Sequence, residues 1–285
     1  MSQNGYAKAV LVTTEWLAEH LNDDGLVVAE ADENTDLYEE GHIPGAVKLH
    51  WREDLQDPVE RDIVDGETFE RVLGERGIAN DTAVILYGDK NNWFAAYAYW
   101  YLKVYGHADV RILDGGRQKW IDEGRELTTE VPSPAAKAYS ASARDESIRA
   151  YRDQVLAWLG AAGRALVDVR SPAEYSGELI APPGYEQEGA QRAGHIPTAV
   201  SIPWASAVQD DGTFKPAAAL EDLYGGQGVS RDKEVTAYCR IGERSAHTWF
   251  VLRELLGYDQ VRNYDGSWTE WGNLVDVPIE RGVGA

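Results

Sequence analysis

One cysteine stands among 285 residues, and its neighbours suit a nucleophile. The stretch Tyr238-Cys239-Arg240-Ile241-Gly242-Glu243-Arg244-Ser245 follows a β-like run, KEVTAY, and precedes a helix-like run, SAHTWFVLRELLG. A thiol attacks as its thiolate, which nearby positive charge favours. Arg240 and Arg244 bring that charge, and a short loop entering a helix adds inward backbone N–H groups and the partial charge of the helix start. The expectation is a Cys239 thiol of lowered pKa, with Arg240, Ile241, Gly242, Glu243 and Arg244 binding an anionic substrate. Glu243 offsets one of the two arginine charges. The competing reading, a small buried hydrophobe, is weakened by the polar neighbours and by a position after the strand rather than within it.

The elements that would hold this loop alternate along the chain. TTEWLAEHL reads as helix, LVVAEAD as strand, GETFERVLGERG as helix, TAVILYG as a buried strand, WFAAYAYWYLKVYG as an apolar helix, VRILDGG as strand, and a short helix starts near Arg117. Short apolar strands between helices predict an α/β fold with a mostly parallel sheet flanked by helices, whose chemistry sits outside the carboxyl ends of the strands. The pattern occurs twice. GHIPGAVKLHW returns as GHIPTAVSIPW and AVILYG as EVTAYC; Asp114-Gly115 maps onto Asp265-Gly266, and Trp120 onto Trp271. A duplicated domain is therefore expected, with residues 1–127 as the first copy, 128–147 as a Pro/Ser/Ala-containing linker, and 148–285 as the second. The counterpart of Cys239 is Gly88, so the first copy has no nucleophile.

Composition narrows the partners. The chain is 44% apolar and 26% charged, as a globular protein with a substantial core requires. Its 27 basic and 48 acidic residues give a net charge of −21, which disfavours nucleic acid. The longest apolar run, Trp93 to Leu102, is too short to cross a bilayer. A single cysteine and no visible secretory signal point to a reducing, cytoplasmic setting. No spacing suggests a metal site, and no cofactor is implied. His42 and His195 occur in both copies of GHIP and read as turn residues rather than bases. Arg170 is a further candidate anion ligand, with an ion pair to Asp168 or Glu174 as the alternative. Trp249, Trp268 and Trp271 are candidates for a substrate mouth, with packing the plainer role.

The aromatic-xxx-HIPGA motif in YEEGHIPGAVKL, the CRIGERS loop, VRNYDGSWTEW near the carboxyl end and the duplication together resemble the rhodanese family, specifically its tandem two-domain members. The resemblance spans nearly the whole chain. It implies two rhodanese-like domains, the first inactive and the second catalytic. It also implies a thiosulfate sulfurtransferase in which Cys239 takes sulfane sulfur from a small anionic donor, forms a persulfide, and passes the sulfur to cyanide or a thiol, including a thioredoxin-like protein. Loop N–H groups would stabilise the persulfide, and Arg240 and Arg244 would hold the donor's oxygens. Some thiosulfate-using relatives carry a second substrate arginine where this chain has Glu174. The alternatives are a 3-mercaptopyruvate sulfurtransferase, whose loop is typically less basic, and a persulfide carrier or binding module without turnover. A phosphatase site needs five residues between cysteine and arginine, and here there are four, Arg240 to Glu243.

Overall fold

The computed structural model describes residues 4–186 and 189–282. The chain divides into two compact units. The first comprises Ala9–Asp145 with Val208–Phe214, and the second comprises Glu146–Ala207 and Lys215–Ala285 with the amino-terminal stretch to Lys8. Residues 129–145 form no helix or strand but lie along the first unit, where Lys137 N–H donates to Gly74 O and Ser142 N–H to Tyr105 O.

The first unit contains strands β1 (Leu11–Val12), β2 (Leu26–Glu30), β3 (Val47–Lys48), β4 (Ala83–Tyr87) and β5 (Val110–Leu113), all parallel in the order β1-β5-β4-β2-β3. Its helices are α1 (Thr14–His20), α2 (Leu37–Glu40), α3 (Gly66–Glu75), α4 (Trp93–Val104) and α5 (Gly116–Asp122). Central β4 reads AVILY because a parallel strand covered on both faces needs apolar residues throughout. Helix α3 starts where Asp65 accepts the Thr68 N–H at 2.8 Å, satisfying a donor that the first turn leaves unpaired.

The second unit repeats the plan. Strands β6 (Arg164–Asp168), β7 (Val200–Ser201), β8 (Glu234–Tyr238) and β9 (Val261–Tyr264) are parallel in the order β7-β6-β8-β9. The place of β1 is taken by a single bridge between Arg149 and Asn263. Helices α6 (Arg152–Trp158), α7 (Pro172–Ser176), α8 (Ala217–Gly225), α9 (Glu243–Phe250) and α10 (Ser267–Trp271) complete it, and α9 runs on as a π-helical segment, Val251–Leu255. The register places Asp168, Tyr238 and Tyr264 at one level, so the loops after β6, β8 and β9 leave the same edge of the sheet.

A buried polar knot recurs at this edge in each unit. In the first, Glu30 accepts from Tyr87 OH and from Arg117 Nη1, and Tyr87 OH accepts the Ile43 N–H. In the second, Asp168 accepts from Tyr238 OH at 2.7 Å and from Arg170 Nε and Nη2 at 3.0 and 2.6 Å, while Tyr238 OH accepts the Ile196 N–H. The arginine has changed position between the copies. Arg117 stands in α5, where the second unit has Trp268, and Arg170 follows β6, where the first unit has Asp32. In both, a buried carboxylate meets a guanidinium, because an unpaired buried charge is strongly destabilising. The two GHIP histidines hold turns: His42 Nδ1 lies 2.8 Å from Tyr38 O and His195 Nδ1 2.9 Å from Tyr175 O, each ring stacked on that tyrosine.

Arg170→Met would leave Asp168 buried without its cation. The expected loss is about 3–5 kcal/mol, read as a lowered urea midpoint. An unchanged midpoint would show that the tyrosine and the backbone N–H of residue 170 satisfy Asp168.

Candidate active site

Cys239 follows β8 directly and is fully buried. Its backbone is pinned from the start of α10: Cys239 N–H donates to Ser267 Oγ at 3.0 Å, Ser267 Oγ donates to Tyr264 O, and Trp268 N–H donates to Cys239 O. The chain then reverses at Gly242, whose φ of +100° lies in the region that side-chain-bearing residues rarely enter. A Cβ there would also stand 2.7 Å from Asp265 Cα, so glycine is required twice over. The reversal turns the Gly242 N–H toward the sulfur, 3.1 Å from Sγ, at the start of α9.

A carboxylate also meets the sulfur. Cys239 Sγ–H donates to Glu243 Oε2 at 3.1 Å, and the Ile241 N–H donates to the same oxygen at 3.2 Å. Glu243 Oε1 lies 3.4 Å from Arg240 Nη2 and 3.5 Å from Arg244 Nε. Arg244 forks onto Glu174 through Nη1 and Nη2 at 3.0 and 3.1 Å. Glu174 is itself held at the start of α7, where its Oε2 accepts from Ser171 N–H and Ser171 Oγ. The Arg240 guanidinium lies over the Tyr185 ring, 4.2 Å from its centre.

The charges therefore cancel within the site: two arginines face two glutamates. This corrects the expectation of a thiolate poised by Arg240 and Arg244. Burial pushes the Cys239 thiol up and the Glu243 charge adds to the rise, while Arg244 and a Ser245 hydrogen bond oppose it without reversing it. The sequence expectation counted the arginines beside the cysteine but not the desolvation of the sulfur. Nor did it place Glu174, which is distant in the chain, on Arg244. Burial would likewise raise Glu174, yet Arg244 holds it at about 2.

All five candidate loop residues, Arg240 to Arg244, gather with Cys239. Gly242 supplies the N–H that faces the sulfur, and the Ile241 N–H is taken by Glu243. Arg170 adopts the alternative weighed for it, an ion pair with Asp168, and lies over the Trp268 ring at 4.4 Å. Trp249, Trp268 and Trp271 are buried packing residues, with their indole N–H groups on the carbonyls of Val261, Arg192 and Pro278. Ser267 was missed. A signal existed in the repeat, since Cys239 and Ser267 replace Gly88 and Gly116, two positions that meet in the first unit through Arg117 N–H and Gly88 O. A Cβ on Gly88 would fall on Ala31 O, so the first unit has no room for a thiol there. Among the described residues, no group of three or more His, Cys, Asp or Glu could hold a metal ion, and no helix is long and apolar enough to cross a membrane.

A thiol hydrogen-bonded at the exit of a parallel strand, in one of two copies of the same sheet, defines a duplicated α/β protein with a single cysteine loop. The rhodanese-like domain profile matches residues 13–123 and again 151–274, and the chain belongs to the rhodanese family. It is 60% identical over 271 residues to a Saccharopolyspora erythraea protein named "Putative thiosulfate sulfurtransferase", covering 95% of this chain and 96% of that one. It is 59% identical over 282 residues to the "Sulfur carrier protein TtuD" of Thermus thermophilus, covering 98% and 99%. Among solved structures it resembles EanB carrying a cysteine persulfide in a tetrahedral intermediate state with ergothioneine, with a TM-score of 0.84 at 27% identity over 96% of this chain and 71% of that one.

Two outcomes are expected. Iodoacetamide should modify Cys239 with a rate inflection above the free-cysteine value of about 8.5, followed by mass spectrometry across pH; an inflection below 7 would contradict the buried-thiol account. Glu174, whose folded pKa is depressed, stabilises the fold above its unfolded value of about 4.3 and loses that contribution as pH falls toward 2. The stability gap between wild type and Glu174→Gln, about 3 kcal/mol at neutral pH from the depression of its pKa from about 4.3 to about 2, should therefore close below pH 4 in urea titrations.

Proposed function

We propose that this chain is a sulfurtransferase that carries sulfane sulfur as a persulfide on Cys239. The sulfur comes from a small anionic donor, thiosulfate first among them, and passes to a nucleophilic acceptor such as cyanide or a thiol. The observation that carries this reading is the sulfur itself: Cys239 Sγ sits at a strand exit with the Gly242 N–H 3.1 Å away, where a displaced negative charge on sulfur would be stabilised. The reaction is a double displacement through a covalent intermediate. The cysteine attacks the outer sulfur of the donor, sulfite leaves, and the acceptor then takes the outer sulfur of the persulfide.

Arg240 and Arg244 are the groups of this loop suited to the donor's oxygens, and two guanidiniums suit the dianion of thiosulfate better than the monoanionic carboxylate of mercaptopyruvate. A donor must share them with Glu243 and Glu174. That neutral balance, together with the relative named a sulfur carrier at 59% identity, favours a second reading in which the persulfide is delivered to a protein thiol and turnover with cyanide is slow.

Intact mass after thiosulfate, and again after cyanide, tests the proposal beside Cys239→Ala. The expected result is a gain of one sulfur atom, removed by cyanide and absent from the variant. No gain with thiosulfate but a gain with 3-mercaptopyruvate would reassign the donor. No gain with either would reject the persulfide cycle.

A further inference from the structure

The carboxylate against the sulfur has no part in the double displacement as described, and it lies at the one place where a proton must go. We infer that Glu243 is a catalytic residue that takes the proton from the Cys239 thiol when an anionic donor engages the loop arginines, and returns it when the persulfide is discharged. The inference rests on the persulfide reading of Cys239.

Geometry supplies the acceptor. Glu243 Oε2 is 3.1 Å from Sγ, within direct reach of its proton. None of the other polar side chains around the loop offers a carboxylate to the sulfur. Ser245 hydrogen-bonds the thiol but is a hydroxyl, not a base, and also contacts Gly242 O and Asn263 Oδ1; Ser267 Oγ donates to Tyr264 O, and Asp265 is held through both oxygens by Arg149 at 3.0 Å. Further along α9, burial pushes His247 down to about 3, and its ring faces Trp204. His195 is engaged with Tyr175 O and lies 3.5 Å from Glu280.

The same contacts explain why transfer waits for the donor. In the resting site Glu243 is engaged by Arg240, Arg244 and the Ile241 N–H, while Glu174 on α7 pairs with Arg244. An oxyanion arriving at the two guanidiniums competes with Glu243 for them and frees its carboxylate to take the thiol proton. The thiol is thus kept protonated until a sulfur donor is present.

The step balances without any outside oxidant or reductant. The Sγ–H bond breaks and its proton moves to Glu243 Oε2. The sulfur's electron pair forms a bond to the outer sulfur of the donor, whose S–S bond breaks with its pair leaving on sulfite. The products are the Cys239 persulfide anion, sulfite and a neutral Glu243. When the acceptor attacks the outer persulfide sulfur, the Cys239 thiolate departs and recovers the proton from Glu243.

The test is the rate of persulfide formation with thiosulfate, followed by quenched intact mass between pH 5.5 and 9.5, in wild type, Glu243→Gln and Glu243→Asp. The amide keeps the shape and the acceptor oxygen but cannot take a proton. Its rate should fall about 100-fold at pH 7, the lower end of what positioned acid–base groups contribute. It should then rise about tenfold per pH unit as hydroxide replaces the carboxylate. Glu243→Asp should keep a pH profile like that of wild type at a reduced rate, and it decides the case if the amide variant fails to fold. An amide variant as fast as wild type or faster, with its profile moved to lower pH, overturns the inference, since Glu243 would then only oppose the thiolate's charge. A wild-type protein that takes up no sulfur at any pH overturns the persulfide reading, and the inference falls with it.

Discussion

Four charges close around one sulfur, and their mutual neutralisation governs the rest of the site. Glu174 is fixed by the cap of α7, Arg244 is fixed by Glu174, Glu243 lies between both arginines, and Cys239 donates to Glu243. Each link lies where water is excluded, so an unmatched charge would be costly and a matched one leaves little field to spare. The site is therefore quiet at rest. It differs from a loop that simply concentrates positive charge on a thiolate, because the same residue types in another arrangement would have stabilised the ionised sulfur.

The duplicated scaffold shows which features belong to folding and which to chemistry. Both units hold a carboxylate, a tyrosine and an arginine in a buried knot at the strand exits, and both stack a GHIP histidine on a tyrosine. These positions keep the loops at one edge of the sheet whether or not anything reacts there. Cys239 and Ser267 are different: the first unit has glycine at both places, and the close approach of Ala31 O to Gly88 leaves no space for a side chain. The thiol and the hydroxyl that anchors its backbone therefore occur together in the second unit. The loss of room in the first unit is a matter of backbone packing.

The alternating strands and helices were legible because period and length suffice for them. AVILY and EVTAY are short apolar runs between helical patterns, and they form central strands β4 and β8. Two-residue β1 and four-residue α2 were not legible, since a pattern needs several repeats to be seen. The exchange of Val208–Phe214 into the first unit was equally hidden. It depends on contacts such as the Phe214 N–H on Asp114, between residues far apart in the chain.

By itself the sequence determined that one cysteine stands in a loop with two arginines and a glutamate, that the chain is doubled, and that only the second copy has the thiol. Those are statements of identity and spacing, and folding does not alter them. Tertiary structure decided the sign of the electrostatics. Glu174 meets Arg244 across 70 positions of chain, and the sulfur loses its water, so a thiol expected to ionise readily is held protonated. Charge adjacent in sequence is a poor guide to charge adjacent in space, and desolvation, which no spacing records, dominates the balance.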